Sequence, residues 1–108
     1  MDVQIVTRHD AQPRQFRGVS FELLATGDRS MVTKMLYQEG DRVAPHSHPN
    51  EQAGYVVSAH IRLTAAGETH DLRPGDSYVI PAEVEHSVEV VDAGEVIDVF
   101  TPPREDYR

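Results

Sequence analysis

The sequence predicts an all-β fold, a sandwich or barrel. Three observations lead there. Short, partly apolar runs follow one another closely, five breaks between them supply the Gly, Pro or Asp of a tight turn, and no stretch keeps a helical period beyond a turn or two.

Taken in chain order, segment 8–17 is polar and is expected to be irregular. The first strand is expected at 21–25, closed by Thr26-Gly27-Asp28. Residues 31–38 alternate a mixed face with a mostly apolar one and end at Glu39-Gly40-Asp41. Short strands are expected at 43–46 and 53–58; in the turn that follows, Ala59 stands where a hairpin glycine is frequent, so strain is expected at Ser58-Ala59-His60. Ala66-Gly67 separates 61–65 from 69–72, and Pro74-Gly75-Asp76 leads into 77–80. The last pair, 86–91 and 95–100, is divided by Asp92-Ala93-Gly94. In 95–100, Ile97 and Val99 share one face while Val96, Asp98 and Phe100 share the other. Alternation alone leaves Asp98 two destinations, a cavity or the solvent.

Composition narrows the function. At 108 residues the chain suits one domain, 1–108, with one modest core. Without Trp, that core is expected to draw on Val, Ile, Leu, Met and Ala. Cysteine is absent, which excludes disulfides and thiolate ligands. A net charge of −8 disfavours nucleic-acid backbones and anionic membranes, so neither is an expected partner. No apolar run approaches the roughly 20 residues of a membrane span, and no signal-peptide core precedes the domain, so a cytoplasmic location is expected. No DNA-binding segment is evident, which argues against a self-contained transcriptional sensor.

The informative cluster is His46-Ser47-His48, with Gln52 four residues on and His86 later. In an extended segment His46 and His48 project to the same side, roughly 7 Å apart. Gln52 and His86 complete a shell if the sheet curls. Three imidazole nitrogens and an amide oxygen suit one divalent transition metal, with Zn, Ni, Fe, Cu and Mn all compatible. Glu51 competes with Gln52; strand parity with His48 favours Gln52, although Pro49-Asn50 interrupts the count. Four neutral ligands leave both charges of the ion uncompensated, which strengthens it as a Lewis acid and favours an anionic ligand. His9, His60 and His70 have no ligand spacing and are expected at the surface.

Two segments carry a resemblance. Gly40-Asp41-Arg42-Val43-Ala44-Pro45-His46-Ser47-His48-Pro49-Asn50-Glu51-Gln52 is similar to the first cupin motif, and the run from Gly75 through Pro81 to His86 is similar to the second. The resemblance spans about 20–104 and implies a cupin-type double-stranded β-helix, a jelly-roll barrel, with His46, His48, Gln52 and His86 as metal ligands. Two positions depart from the pattern: Gln52 replaces the usual Glu, and Glu83 stands where Gly is common.

The ending Asp98-Val99-Phe100-Thr101-Pro102-Pro103-Arg104 resembles the small single-domain cupins of the KdgF type. Those enzymes are implied to open 4,5-unsaturated uronates to linear keto-uronates. The resemblance implies Asp98 as proton-transfer group, Arg104 as carboxylate anchor and Phe100 as apolar wall of the substrate site. A rim salt bridge is the alternative role for Arg104. The implied partners are a small anionic sugar and a second copy of the chain, the latter through an added strand at 3–6. An iron- or manganese-dependent dioxygenase and a non-catalytic sugar- or metal-binding protein are the competing readings.

Overall fold

The computed structural model describes residues 2–108. Ten strands form two antiparallel sheets: β1 Gln12–Phe16, β2 Val19–Thr26, β3 Met31–Tyr37, β4 Arg42–His46, β5 Glu51–Val56, β6 His60–Ala65, β7 Glu68–Leu72, β8 Ser77–Ile80, β9 His86–Asp92 and β10 Gly94–Thr101. A 3₁₀ turn, η1, follows at Glu105–Tyr107. The larger sheet runs β1-β2-β3-β10-β5-β8 and the smaller β4-β9-β6-β7. All nine expected strands form, with ends shifted by two residues at most. Among the described residues, no helix is long and apolar enough to cross a membrane.

The two sheets bury their facing sides. On β3, Met31, Thr33, Met35 and Tyr37 point inward, and on β10 Val96, Asp98 and Phe100 do so. Phe21, Phe100, Ile61 and Val56 anchor the core with essentially no exposure, each contributing roughly 1.5–3 kcal/mol by apolar burial.

Three expectations are corrected here. Segment 8–17 is not wholly irregular, because Gln12–Phe16 pairs with β2 from Gln12↔Leu23 to Phe16↔Val19. Its two-residue turn puts Arg17 and Gly18 at φ of 51° and 88°, the left-handed pair that suits a tight hairpin. As a largely exposed edge strand, β1 carries polar side chains that give no core signal; pairing to β2 overrides the pattern. His60 is not a surface residue but is buried on β6, with Nε2 2.9 Å from Asp71 Oδ1 and Nδ1 3.6 Å from Asp92 Oδ2. Ala59 is fully buried and is not among the residues with positive φ, so its turn carries no left-handed strain. His9 and His70 are exposed. Residues 3–6 form no strand within the chain; Val3 and Ile5 are exposed, and Gln4 Oε1 accepts the Thr26 N–H at 2.7 Å.

Candidate metal centre

His46 ends β4 and His86 begins β9, and the two are direct register partners with ring centroids 4.4 Å apart. The ladder slips between Val43 and His46, and a slip of this kind re-aims the side chains beside it. His48 lies past the end of β4, so strand parity does not place it. Asn50 does: its carbonyl accepts from His48 Nδ1 at 2.9 Å, while its own amide donates to the Pro102 carbonyl at 2.6 Å. That pair of bonds ties the histidine loop to the C-terminal segment. One nitrogen from each of His46, His48 and His86 lies within 4.8 Å of the others. Gln52, on β5, is buried with Oε1 3.1 Å from His48 Nε2, whereas Glu51 is exposed.

The chemistry of these donors fits a divalent cation. Each imidazole gives Nδ1–H to a backbone carbonyl: His46 to Ala44 at 3.0 Å, His48 to Asn50 at 2.9 Å and His86 to Val84 at 2.9 Å. These bonds fix the tautomer and leave Nε2 with a free lone pair. Burial lowers the pKa of all three, that of His46 to about 4, so the cluster is neutral at pH 7. A neutral His48 has spent its single N–H on Asn50. Its Nε2 and the Gln52 Oε1 therefore face each other as two lone pairs at 3.1 Å. Two neighbouring ligands of one cation, each about 2.0–2.2 Å from it, are spaced in this way.

Asp98 points inward and is 2% exposed, which settles the question left by alternation. Burial pushes its carboxyl up to about 6, against the opposing pull of the Tyr78 hydroxyl, the Gln52 amide and the Arg104 charge. Tyr78 donates to Asp98 Oδ1 at 2.6 Å.

Arg104 is buried, and its fork is already engaged. Nε and Nη2 donate to the two Asp106 oxygens at 3.1 and 2.8 Å, and Nη1 donates to the Tyr107 hydroxyl at 3.0 Å. The guanidinium also lies over the rings of Tyr107, Phe16 and Phe100 at 4.0, 4.9 and 5.3 Å. The acidic neighbour foreseen for a rim pair is thus present, but the arginine itself is interior. Of its five N–H groups, one on each terminal nitrogen is left. Phe100 is an interior wall, edge-on to His48 at 5.6 Å.

Asn50, Tyr78, Tyr107 and Phe16 also shape the site and carry no ligand or catalytic spacing in the sequence. Only Tyr78 left a trace, sharing strand parity with the buried Ile80.

Two cavities meet here. A chamber of about 20 Å³ is lined by His46, Gln52, His86, Asp98 and Arg104 among others, with room for one ion or water. Outside it, a pocket of about 580 Å³ opens between the β1–β2 turn, the histidine loop and the C-terminal segment, large enough for a small sugar. Phe16, His46 and Arg104 line both and form the wall between them.

The Cupin domain family model matches residues 33–100, which contain both histidine motifs. KdgF from Halomonas sp. is 27% identical and superimposes with a TM-score of 0.88, covering 97% of this chain and 98% of that one. An RmlC-like cupin from Shewanella frigidimarina is 25% identical with a TM-score of 0.88, covering 97% and 96%. The HTH-type transcriptional regulator PuuR of Escherichia coli is 27% identical over 107 residues, 91% of this chain and 56% of that protein. The chain thus spans about half the length of that curated relative. Three clustered histidines that could hold a metal ion, set in a two-sheet antiparallel barrel, agree with the family match, and the chain belongs to the cupin family.

Proposed function

We propose that this cupin is a metal-dependent enzyme that opens 4,5-unsaturated uronates to linear keto-uronates. One observation carries the reading: a buried carboxylate tuned to about 6 shares a chamber with His46, Gln52 and His86, and His48 completes the donor set beside Gln52. The likeness to KdgF supports the substrate class.

A cation held by His46, His48, Gln52 and His86 would supply positive charge to stabilise an oxyanion. Asp98 accepts the proton of the hemiacetal hydroxyl as the ring C–O bond breaks toward the ring oxygen. It then returns a proton to the alkene carbon, leaving a ketone at the former ring-oxygen position. A pKa near 6 suits both steps at neutral pH. The two remaining N–H groups of Arg104 meet the substrate carboxylate, and Phe100 gives the apolar wall. Arg104 lines both pocket and chamber, which sets the substrate carboxylate at the boundary between them. The same reading includes a homodimer that covers the exposed Val3 and Ile5.

Proton NMR of unsaturated galacturonate, with and without chelator, tests the activity. Asp98→Asn is expected to abolish turnover while the metal stays bound. Wild-type rates in that variant would refute Asp98 as the proton carrier. The relationship to PuuR favours a second reading, ligand sensing without turnover. Saturable binding of the uronate with no product would establish it instead.

A further inference from the structure

Asp98, Gly54 and Tyr78 occupy one row across three adjacent strands. Asp98 of β10 is opposite Gly54 of β5, and Gly54 is opposite Tyr78 of β8. With strands about 4.8 Å apart, the outer two positions are roughly 10 Å from each other. A tyrosine spans that gap by lying along the sheet, over the middle residue. The middle residue is glycine, and a Cβ there would fall on the Tyr78 ring itself. The ring therefore uses the space that Gly54 leaves, and its hydroxyl reaches Asp98 Oδ1 at 2.6 Å.

The phenol O–H is the donor in this bond and the carboxylate oxygen the acceptor. Asp98 lines the chamber, whereas Tyr78 reaches the carboxylate from outside that lining. A phenylalanine would fill the same volume, so the hydroxyl is the part that packing does not explain.

We propose that Tyr78 is a positioning residue, holding Oδ1 of Asp98 so that Oδ2 faces the chamber as the proton-carrying oxygen, with Gly54 as the residue that lets it cross. This rests on the reading of Asp98 given above, and the test separates the two.

The full chain is loaded with zinc as wild type, Y78F, G54A and the double variant. Each is assayed on 4,5-unsaturated galacturonate, and proton NMR follows the downfield resonance of a short hydroxyl–carboxylate bond. A hydrogen bond to a charged group contributes about 1.5–3 kcal/mol, so Y78F is expected to lower kcat by about tenfold or more. KM stays within about twofold, because the bond acts on the reacting group and not on ground-state binding. G54A keeps the hydroxyl but displaces the ring and is expected to show the same loss. The double variant loses no more than the worse single one, since both act through one bond. The resonance is present in the wild type and absent in Y78F. Unchanged kcat in Y78F, a loss confined to KM, or additive losses would overturn the proposal. If the wild type turns over no uronate, the substrate reading fails on its own. The resonance then decides: its loss in both Y78F and G54A supports the positioning bond, and its absence from the wild type overturns it.

Discussion

Asp98→Asn is expected to make the metal-free protein more stable, and increasingly so as the pH rises. Asp98 is 2% exposed and its pKa is raised from 3.8 to about 6, chiefly by burial. The folded state thus holds this proton more tightly than the unfolded chain does. Its contribution is fully present below the unfolded pKa and is lost as the pH climbs through about 6. A shift of about two units corresponds to about 3 kcal/mol at pH 8, shrinking to well under 1 kcal/mol at pH 4. Asparagine cannot ionise, and its side-chain oxygen still accepts from Tyr78. Urea denaturation of chelator-treated wild type and D98N, at intervals from pH 4 to pH 8, reads the effect directly. The two stability curves should converge at low pH and separate by about 3 kcal/mol at high pH, or about 10–15 °C in Tm for a domain of this size. Parallel curves across the range would show that burial does not penalise the Asp98 charge. The argument for a tuned acid–base group would then fall.

Other perturbations probe the donor set, the turns, the core and the surface. Gln52→Glu places a carboxylate beside three neutral imidazoles, so zinc affinity in a chelator competition should rise by about tenfold or more; unchanged affinity would exclude residue 52 from the shell. Glu83 adopts φ of 69° in the turn before β9. Glu83→Gly should therefore stabilise by about 0.5–1 kcal/mol in urea denaturation, and a loss of stability would show that the side chain matters more than the backbone strain. Phe100 is 1% exposed, and Phe100→Ala should cost about 3–5 kcal/mol; a cost below about 1 kcal/mol would contradict its place in the core. Sizing chromatography should show a dimer that Val3→Asp with Ile5→Asp converts to monomer, and a wild-type monomer would refute that assembly.

The strands from β2 to β10 were legible because their evidence is local. Period-two alternation in 31–38 and 95–100, and turn residues at the breaks, act without reference to neighbouring strands, and His-Ser-His with Gln52 and His86 marks donor types suited to one ion. β1 bears no such local mark because an exposed edge strand needs no apolar face, and its pairing to β2 is what makes it a strand. His60 looked ordinary because its carboxylate partners arrive from β7 and β9.

The sequence by itself thus determined the all-β class, the strand order along the chain and the kinds of atom offered to a metal. Tertiary structure decided what those atoms face. It brought His46 opposite His86 by register, held His48 through Asn50 and turned Asp98 inward. It also closed Arg104 onto Asp106 and laid Tyr78 across Gly54. The physical reason is that periodicity and turn propensity act over a few residues, whereas burial, hydrogen-bond partners and the pKa of a carboxyl depend on strands that meet only when the sheets close.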